Sequence, residues 1–210
     1  AQGQGDNLRN MAFLRNVTPL DTGPAIHGRG VYLRTPRARD YSAWATLREK
    51  SRQFLVPWEP AWPADDLTRS AFRRRLKRYY RDIRQDESYP FFIFRDEDGQ
   101  LVGGLTLSHV RRGVTQSCSL GYWVGEPHAR QGLMTAAVRA IIPFIFDTLK
   151  LHRVEAACLP DNKASIALLE KTGFSREGHA RCYLRINGAW QDHVLFALLE
   201  DDPREGRAAC

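Results

Sequence analysis

Long apolar runs are missing from this 210-residue chain: the best, Ala140 to Phe146, holds seven residues and is interrupted by Pro143. A bilayer-spanning helix needs about 20, so no membrane span is expected. Cysteine is scarce, with four residues at 118, 158, 182 and 210 and no C-x-x-C pair. That spacing excludes a zinc ribbon or knuckle, and so few thiols cannot form a disulfide scaffold. Reduced cysteines in a cytoplasmic protein are expected, the first three in strands. The motifs G-x-S-x-G and G-x-x-x-x-G-K-[ST] are absent, and Gly28-x-Gly30 lacks a third glycine because Leu33 stands there. The six histidines form no H-x-x-x-H pair, so no metal site is expected. The opening AQGQGDNLRN is polar and does not read as a secretory leader.

What the chain has is a core and a charge. Hydrophobic residues make up 43%, including ten Phe, seven Tyr and five Trp, enough for one folded domain of this length. The formal net charge is +7. All of it belongs to residues 69–84, where eight Arg and Lys face one acid, Asp82; the rest of the chain is neutral on formal count. A solvated helix face is one reading of that run, and a docking face for RNA is the other.

The pattern predicts an N-terminal arm over 1–29, a single domain over 30–200 and a polar tail over 201–210. Strands are expected at 31–34, 91–95, 101–109, 115–124, 153–159, 174–185 and 192–199. Asp40 stands as an N-cap before one helix, and a second runs over 65–84 on Phe72, Leu76, Tyr79, Tyr80 and Ile83. Between them lies a rigid loop, 54–63, with three prolines and two tryptophans. Further helices are expected over 133–149, kinked at Pro143, and from Asp161 to Gly173. Asn187-Gly188 marks a tight hairpin. The order β-α-α-β-β-β-α-β-α-β-β is an α/β or α+β mix.

Two junctions carry chemistry. In Leu120-Gly-Tyr-Trp-Val-Gly-Glu-Pro-His-Ala-Arg-Gln-Gly-Leu-Met-Thr135 a strand feeds a polar loop and then a helix start, whose free N–H groups, with Arg130 and the flexible Gly132, suit a phosphate or pyrophosphate. In Asp161-Asn-Lys-Ala-Ser165, Asn162 and Ser165 share the first turn of a helix; helix capping is the plainer account of them.

Together these segments resemble the acetyl-CoA signature of the GNAT N-acetyltransferase superfamily, Q/R-x-x-G-x-G/A followed later by N-x-x-S and G-F. Within it they resemble the branch that acetylates the N-terminal alanine of a ribosomal protein. The resemblance covers about 31–199. The chain departs from the loop pattern at Ala129 and Met134. The resemblance implies a mixed sheet splayed between two parallel strands, 115–124 and 153–159, with flanking helices. It implies acetyl-CoA held by Arg130, Gln131, Gly132, Leu133, Met134 and Thr135 at the pyrophosphate. Main chain of Trp123, Val124 and Gly125 would hold the pantetheine arm, with Asn162 bonding it as well. Val124 would supply an oxyanion donor, and Ser165 a proton for the leaving thiolate.

Some relatives carry Glu where Ser119 stands, and Ser is not a competent base, so a water-relayed proton path is expected. Acceptor contacts are expected from Trp58, Trp62, Ser119, Tyr122 and Tyr183. The partner is then a ribosomal-protein N-terminus, with ribosomal RNA on the 69–84 helix; the chain would be a monomer or homodimer. The alternatives are a GNAT enzyme acting on a small amine, and a non-catalytic RNA- or ribosome-binding factor on the same fold.

Overall fold

The computed structural model describes residues 25–203. The expected arm, except its last few residues, most of the expected tail and Cys210 lie outside them. Eight strands form one sheet: β1 (Ile26–Gly28), β2 (Val31–Arg34), β3 (Tyr89–Arg95), β4 (Leu101–Arg111), β5 (Ser117–Val124), β6 (Arg153–Cys158), β7 (Ser175–Ile186) and β8 (Ala189–Leu199). Their spatial order is β1-β2-β3-β4-β5-β6-β8-β7. Neighbours are antiparallel throughout except β5 and β6, which run parallel. The helices are α1 (Tyr41–Lys50), the short α2 (Arg52–Leu55), α3 (Arg69–Arg84), α4 (Leu133–Pro143) and α5 (Lys163–Lys171). This is the expected mixed α/β architecture. Among the described residues no helix is long and apolar enough to cross a membrane.

Strand β3 shows why the sheet is covered on both faces. Successive side chains on a strand point to opposite sides, and the run Tyr89–Phe94 is buried throughout. Phe91 and Ile93 join one core with Ala137, Val138 and Ile141 of α4. Phe92 and Phe94 join a second with Trp44 and Leu47 of α1 and Phe72 and Leu76 of α3.

Several boundaries differ from expectation for local reasons. Strand β1 lies inside the expected arm; it is only three residues long, too short to show a period. Gly28 lets it lie directly on α4, since a Cβ there would stand 2.9 Å from Ala140 Cβ. Helix α3 begins at Arg69 because Thr68 caps it, its Oγ1 accepting from the Ala71 N–H at 3.2 Å. Asp40 precedes α1 without a side-chain cap bond. Its buried carboxylate instead accepts both arms of the Arg34 guanidinium, at 2.7 and 2.8 Å, and the Arg37 N–H. At Pro143, α4 widens into a π-helical turn over Phe144–Thr148, closed by Leu149 N–H donating to Phe144 O at 2.9 Å. Proline has no N–H for the regular ladder, and the wider turn still buries Ile145 and Phe146.

The decisive feature is how little of β5 and β6 is paired. The register covers Ser117–Arg153, Cys118–Val154 and Ser119–Glu155. Beyond them the two parallel strands diverge, and the chain leaves each towards a helix N-terminus.

Candidate active site

A cavity of about 810 Å³ fills the divergence, within the size range of ligand pockets. One wall is Leu120–Val124 of β5 and the opposite wall Ala156–Leu159 at the end of β6. The N-terminal turns of α4 and α5 close one side. The loop from Phe54 to Pro60 and the β7–β8 hairpin close the other.

Main-chain direction alternates along β5. The Gly125 N–H donates to Val102 O of β4 at 2.9 Å. The Trp123 carbonyl also lies against β4, where a Cβ on Gly103 would strike it. The polar main-chain groups of Tyr122 and Val124 therefore point the other way, into the splay. Val124 thus faces the splay, whereas the Gly125 N–H and the Trp123 carbonyl, expected to hold the cofactor arm, are turned away from the cavity. The Trp123 indole still lines the wall, lying against Gly104, where a Cβ would come within 2.5 Å of Nε1.

Arg130 through Thr135 all border the cavity. Arg130 and Gly132 are left-handed, with φ of 60° and 76°, and this turns the chain sharply into α4. Gly132 O accepts from Ala136 N–H at 3.0 Å. The N–H groups of Leu133, Met134 and Thr135 precede any helical acceptor, as in every first helical turn, and no acidic residue competes for them there. The result is an anion cradle with one cation, Arg130, beside it. Gln131 is tied back, its Nε2 donating to Pro127 O at 2.9 Å.

At α5 the capping account holds: Asn162 Oδ1 accepts from Ser165 N–H at 3.1 Å. Asn162 therefore keeps both amide hydrogens and one lone pair of Oδ1 for a ligand. Ser165 Oγ and Tyr122 OH lie 2.7 Å apart. Burial pushes the Tyr122 hydroxyl above its ordinary pKa, although the Ser165 contact opposes this. Burial likewise pushes the neighbouring Cys158 thiol up, again against a bond with Ser165. Three protonated groups thus cluster at one point of the cavity. Tyr122, expected on the acceptor side, lines the cavity and engages Ser165.

Of the other acceptor residues, Trp58 lines the cavity, while Trp62, Ser119 and Tyr183 do not. Trp62 stiffens the loop instead. Its Nε1 donates to Glu59 Oε2 at 2.8 Å, and its ring lies 4.0 Å from the Arg48 guanidinium. Arg48, itself buried, donates to both Glu59 oxygens at 2.7 Å. Ser119 sits at the last parallel pair, beneath the splay. Tyr183 lies outside the wall, its ring edge-on to His193 at 5.8 Å.

Leu184, Ile186 and His193 of the final hairpin complete the wall and were not anticipated. His193 is 2% exposed, and its Nδ1 is 2.9 Å from Gln191 O. Both faces of β8 are apolar beyond His193, with Val194, Phe196 and Leu198 on the core face, so period two did not single it out. Among the described residues no three His, Cys, Asp or Glu side chains gather as metal ligands would.

The chain matches the Acetyltransferase (GNAT) domain family over residues 31–175. It is 35% identical over 180 residues to a probable N-acetyltransferase, YjcK, of Bacillus subtilis, covering 86% of this chain and 99% of that one. It is 36% identical over 170 residues to the ribosomal protein uS5-alanine N-acetyltransferase of Escherichia coli, covering 80% and 88%. Among solved structures it is similar to Mycobacterium smegmatis RimJ in complex with CoA-disulfide, at a TM-score of 0.79, 33% identity and 90% coverage of each chain. The splayed parallel pair, the cradle before α4 and these likenesses agree: the chain belongs to the GNAT acetyltransferase family.

Proposed function

We propose that this N-acetyltransferase acetylates a protein N-terminal amine, with N-terminal alanine of a ribosomal protein as the acceptor. The observation that carries this is the acceptor side of the cavity. Its wall is built from Trp58, Leu184 and Ile186, and its carboxylate, Glu59, is already held by both arms of Arg48. Such a surface suits a small neutral side chain and gives little to a polyamine or aminoglycoside, which would need uncompensated acids. The relative from E. coli is named for alanine of uS5, in keeping with this reading.

The other side fits coenzyme A. The cradle N–H groups of residues 133–135 and Arg130 would hold its pyrophosphate, and the main chain of Tyr122 and Val124 its amide arm. When bound, acetyl-CoA supplies the acetyl thioester. The Val124 N–H would stabilise charge developing on the carbonyl oxygen, and Ser165, backed by the protonated Tyr122, would deliver a proton to the leaving sulfur. An α-amine has a pKa near 8, so part of it is free at neutral pH, whereas a lysine amine near 10.4 is almost wholly protonated. The cationic face of α3 would offer ribosomal RNA a docking surface apart from the cavity. The buried thiols Cys118 and Cys158, free in the structure, suit a reducing cytoplasm.

The test is incubation with acetyl-CoA and an alanine-initiated peptide that also contains a lysine, followed by fragmentation mass spectrometry. Acetyl on the α-amine is expected. Acetyl confined to lysine, or transfer only to small amines in a parallel screen, contradicts the proposal.

A further inference from the structure

Transfer of acetyl from a thioester to an ammonium group sheds two of its three nitrogen protons. The third stays on the amide. One of the two shed is balanced by the thiol that leaves; the other needs a base. Ser119, at the last parallel pair, is not on the cavity wall. A base has to be sought elsewhere on this wall.

The candidates reduce quickly. Tyr122 and Cys158 keep their protons, because burial disfavours their anions, so they act as donors. Glu59 spends both oxygens on Arg48 and Trp62. Asp161 and Lys163 stand at the start of α5, on the cofactor side. His128 also borders the cavity, but it stands in the turn before the cradle and faces Arg95 and Asp98 at the β3–β4 hairpin. Arg130 belongs to the cradle and Lys171 ends α5. The group left on the hairpin wall is the His193 imidazole of β8.

Its geometry is specific. The Nδ1 atom faces the Gln191 carbonyl at 2.9 Å. A carbonyl oxygen only accepts, so in the neutral ring Nδ1 carries the hydrogen and donates it. The second nitrogen, Nε2, is then left with a lone pair and no proton. Nε2 has no hydrogen-bond partner among the described residues, and the ring borders the cavity. Tyr183 of β7, edge-on at 5.8 Å, fixes the ring plane from behind. Alongside, β6 pairs Cys158 with Val194, the next residue of β8. The His193 side chain is therefore on the opposite face of β8 from Val194 and Cys158, and it meets the Cys158–Ser165–Tyr122 cluster across the opening, with both bordering the same cavity.

We infer that His193 is the catalytic base: its Nε2 takes the proton that the acceptor ammonium must lose before or as its nitrogen attacks, and returns it to solvent after the amide forms. This rests on the reading of the Trp58–Leu184–Ile186 side as the acceptor side. Tyr183 then becomes a positioning residue that acts through the imidazole. The titratable groups nearest His193 are Tyr183 on β7, whose ring meets it edge-on, and its β8 neighbour Asp192, which is turned to His179 and the Cys182 N–H; Cys158, Tyr122 and Glu59 border the same cavity.

The test combines one spectroscopic and one kinetic readout. Nitrogen-15 NMR of the ligand-free wild-type chain should show His193 as the Nδ1–H tautomer. An Nε2–H tautomer would overturn the inference, whatever amine proves to be the acceptor. His193→Gln should lower kcat by about 10²-fold while leaving the coenzyme A Kd unchanged. The deficit should shrink as the pH rises beyond about 8, where the α-amine is already free. A purely structural role would give a loss that does not vary with pH, and that result would also overturn it. Should His193→Gln fold poorly, Tyr183→Phe and Tyr183→Ala form the second series: Phe keeps the ring packing and should keep kcat, whereas Ala should lose part of it with the same pH dependence. Wild-type failure on the alanine peptide sinks the acceptor assignment alone, because the NMR readout still decides the base.

Discussion

Burial of single polar side chains explains most of the site's chemistry. Tyr122 and Cys158 are held in their protonated forms by desolvation, and Arg48 is buried only because Glu59 and two indole faces receive it. His128 shows the same effect with a consequence for stability. Burial, followed by the Arg95 charge, holds its pKa below the ordinary histidine value. The unfolded chain therefore binds a proton at a pH where the folded chain does not. Stability is full above about pH 6.5 and is lost as the pH falls towards the lower folded value. His128→Gln removes this contribution. Its melting temperature is expected to fall less than that of the wild type between about pH 7.5 and 5.5, read by thermal denaturation without ligand. Parallel profiles would contradict the assignment.

At the scale of elements, the site is two helix N-termini facing one another across parted strands. Gly132 is the pivot of the first. Its left-handed φ of 76° strains any other residue, yet a Cβ there would meet nothing within 4 Å. Gly132→Ala should therefore cost about 1 kcal/mol in stability and, by reshaping the cradle, weaken coenzyme A binding about tenfold, roughly 1.4 kcal/mol. Calorimetric titration checks this, and an unchanged Kd would place the pyrophosphate elsewhere. The cradle was legible in the sequence because a glycine before an apolar helical run has one common structural meaning. So was the α5 cap, from Asn162 and Ser165 three apart. The direction of the β5 main chain was not, because it depends on which side of the strand β4 pairs, as the Gly125 bond to Val102 shows. Nor was the separation of Trp58 from Trp62. Both stand in one proline-rich loop, but only the folded loop shows Trp62 taken by Arg48 and Glu59. His193 was not legible either: β8 is apolar on both faces beyond it, and only the folded hairpin shows the ring buried at the cavity with Nδ1 against the Gln191 carbonyl.

Across the whole molecule, the excess charge and the cavity lie on different elements. The +7 of the sequence sits on α3, where Arg74, Arg75 and Arg81 pair with Asp65, Asp66 and Asp82. Arg73, Lys77 and Arg84 are exposed and carry no ion pair among the described residues. A face of this kind should give acetylation of ribosomal particles a steep salt dependence, matching about three to five phosphate contacts, with little on a short peptide. The double variant Arg73→Glu/Lys77→Glu should erase the difference; equal salt dependence on both substrates would remove RNA from the account. Both reactants are proposed to meet in the cavity between β5 and β6. A conjugate of coenzyme A joined through its acetyl group to the α-amine of an alanine-initiated peptide tests this directly by calorimetry. Binding at least about 10²-fold tighter than that of coenzyme A alone is expected, since one molecule then fills both sides of the cavity. Binding no tighter than that of coenzyme A would contradict it.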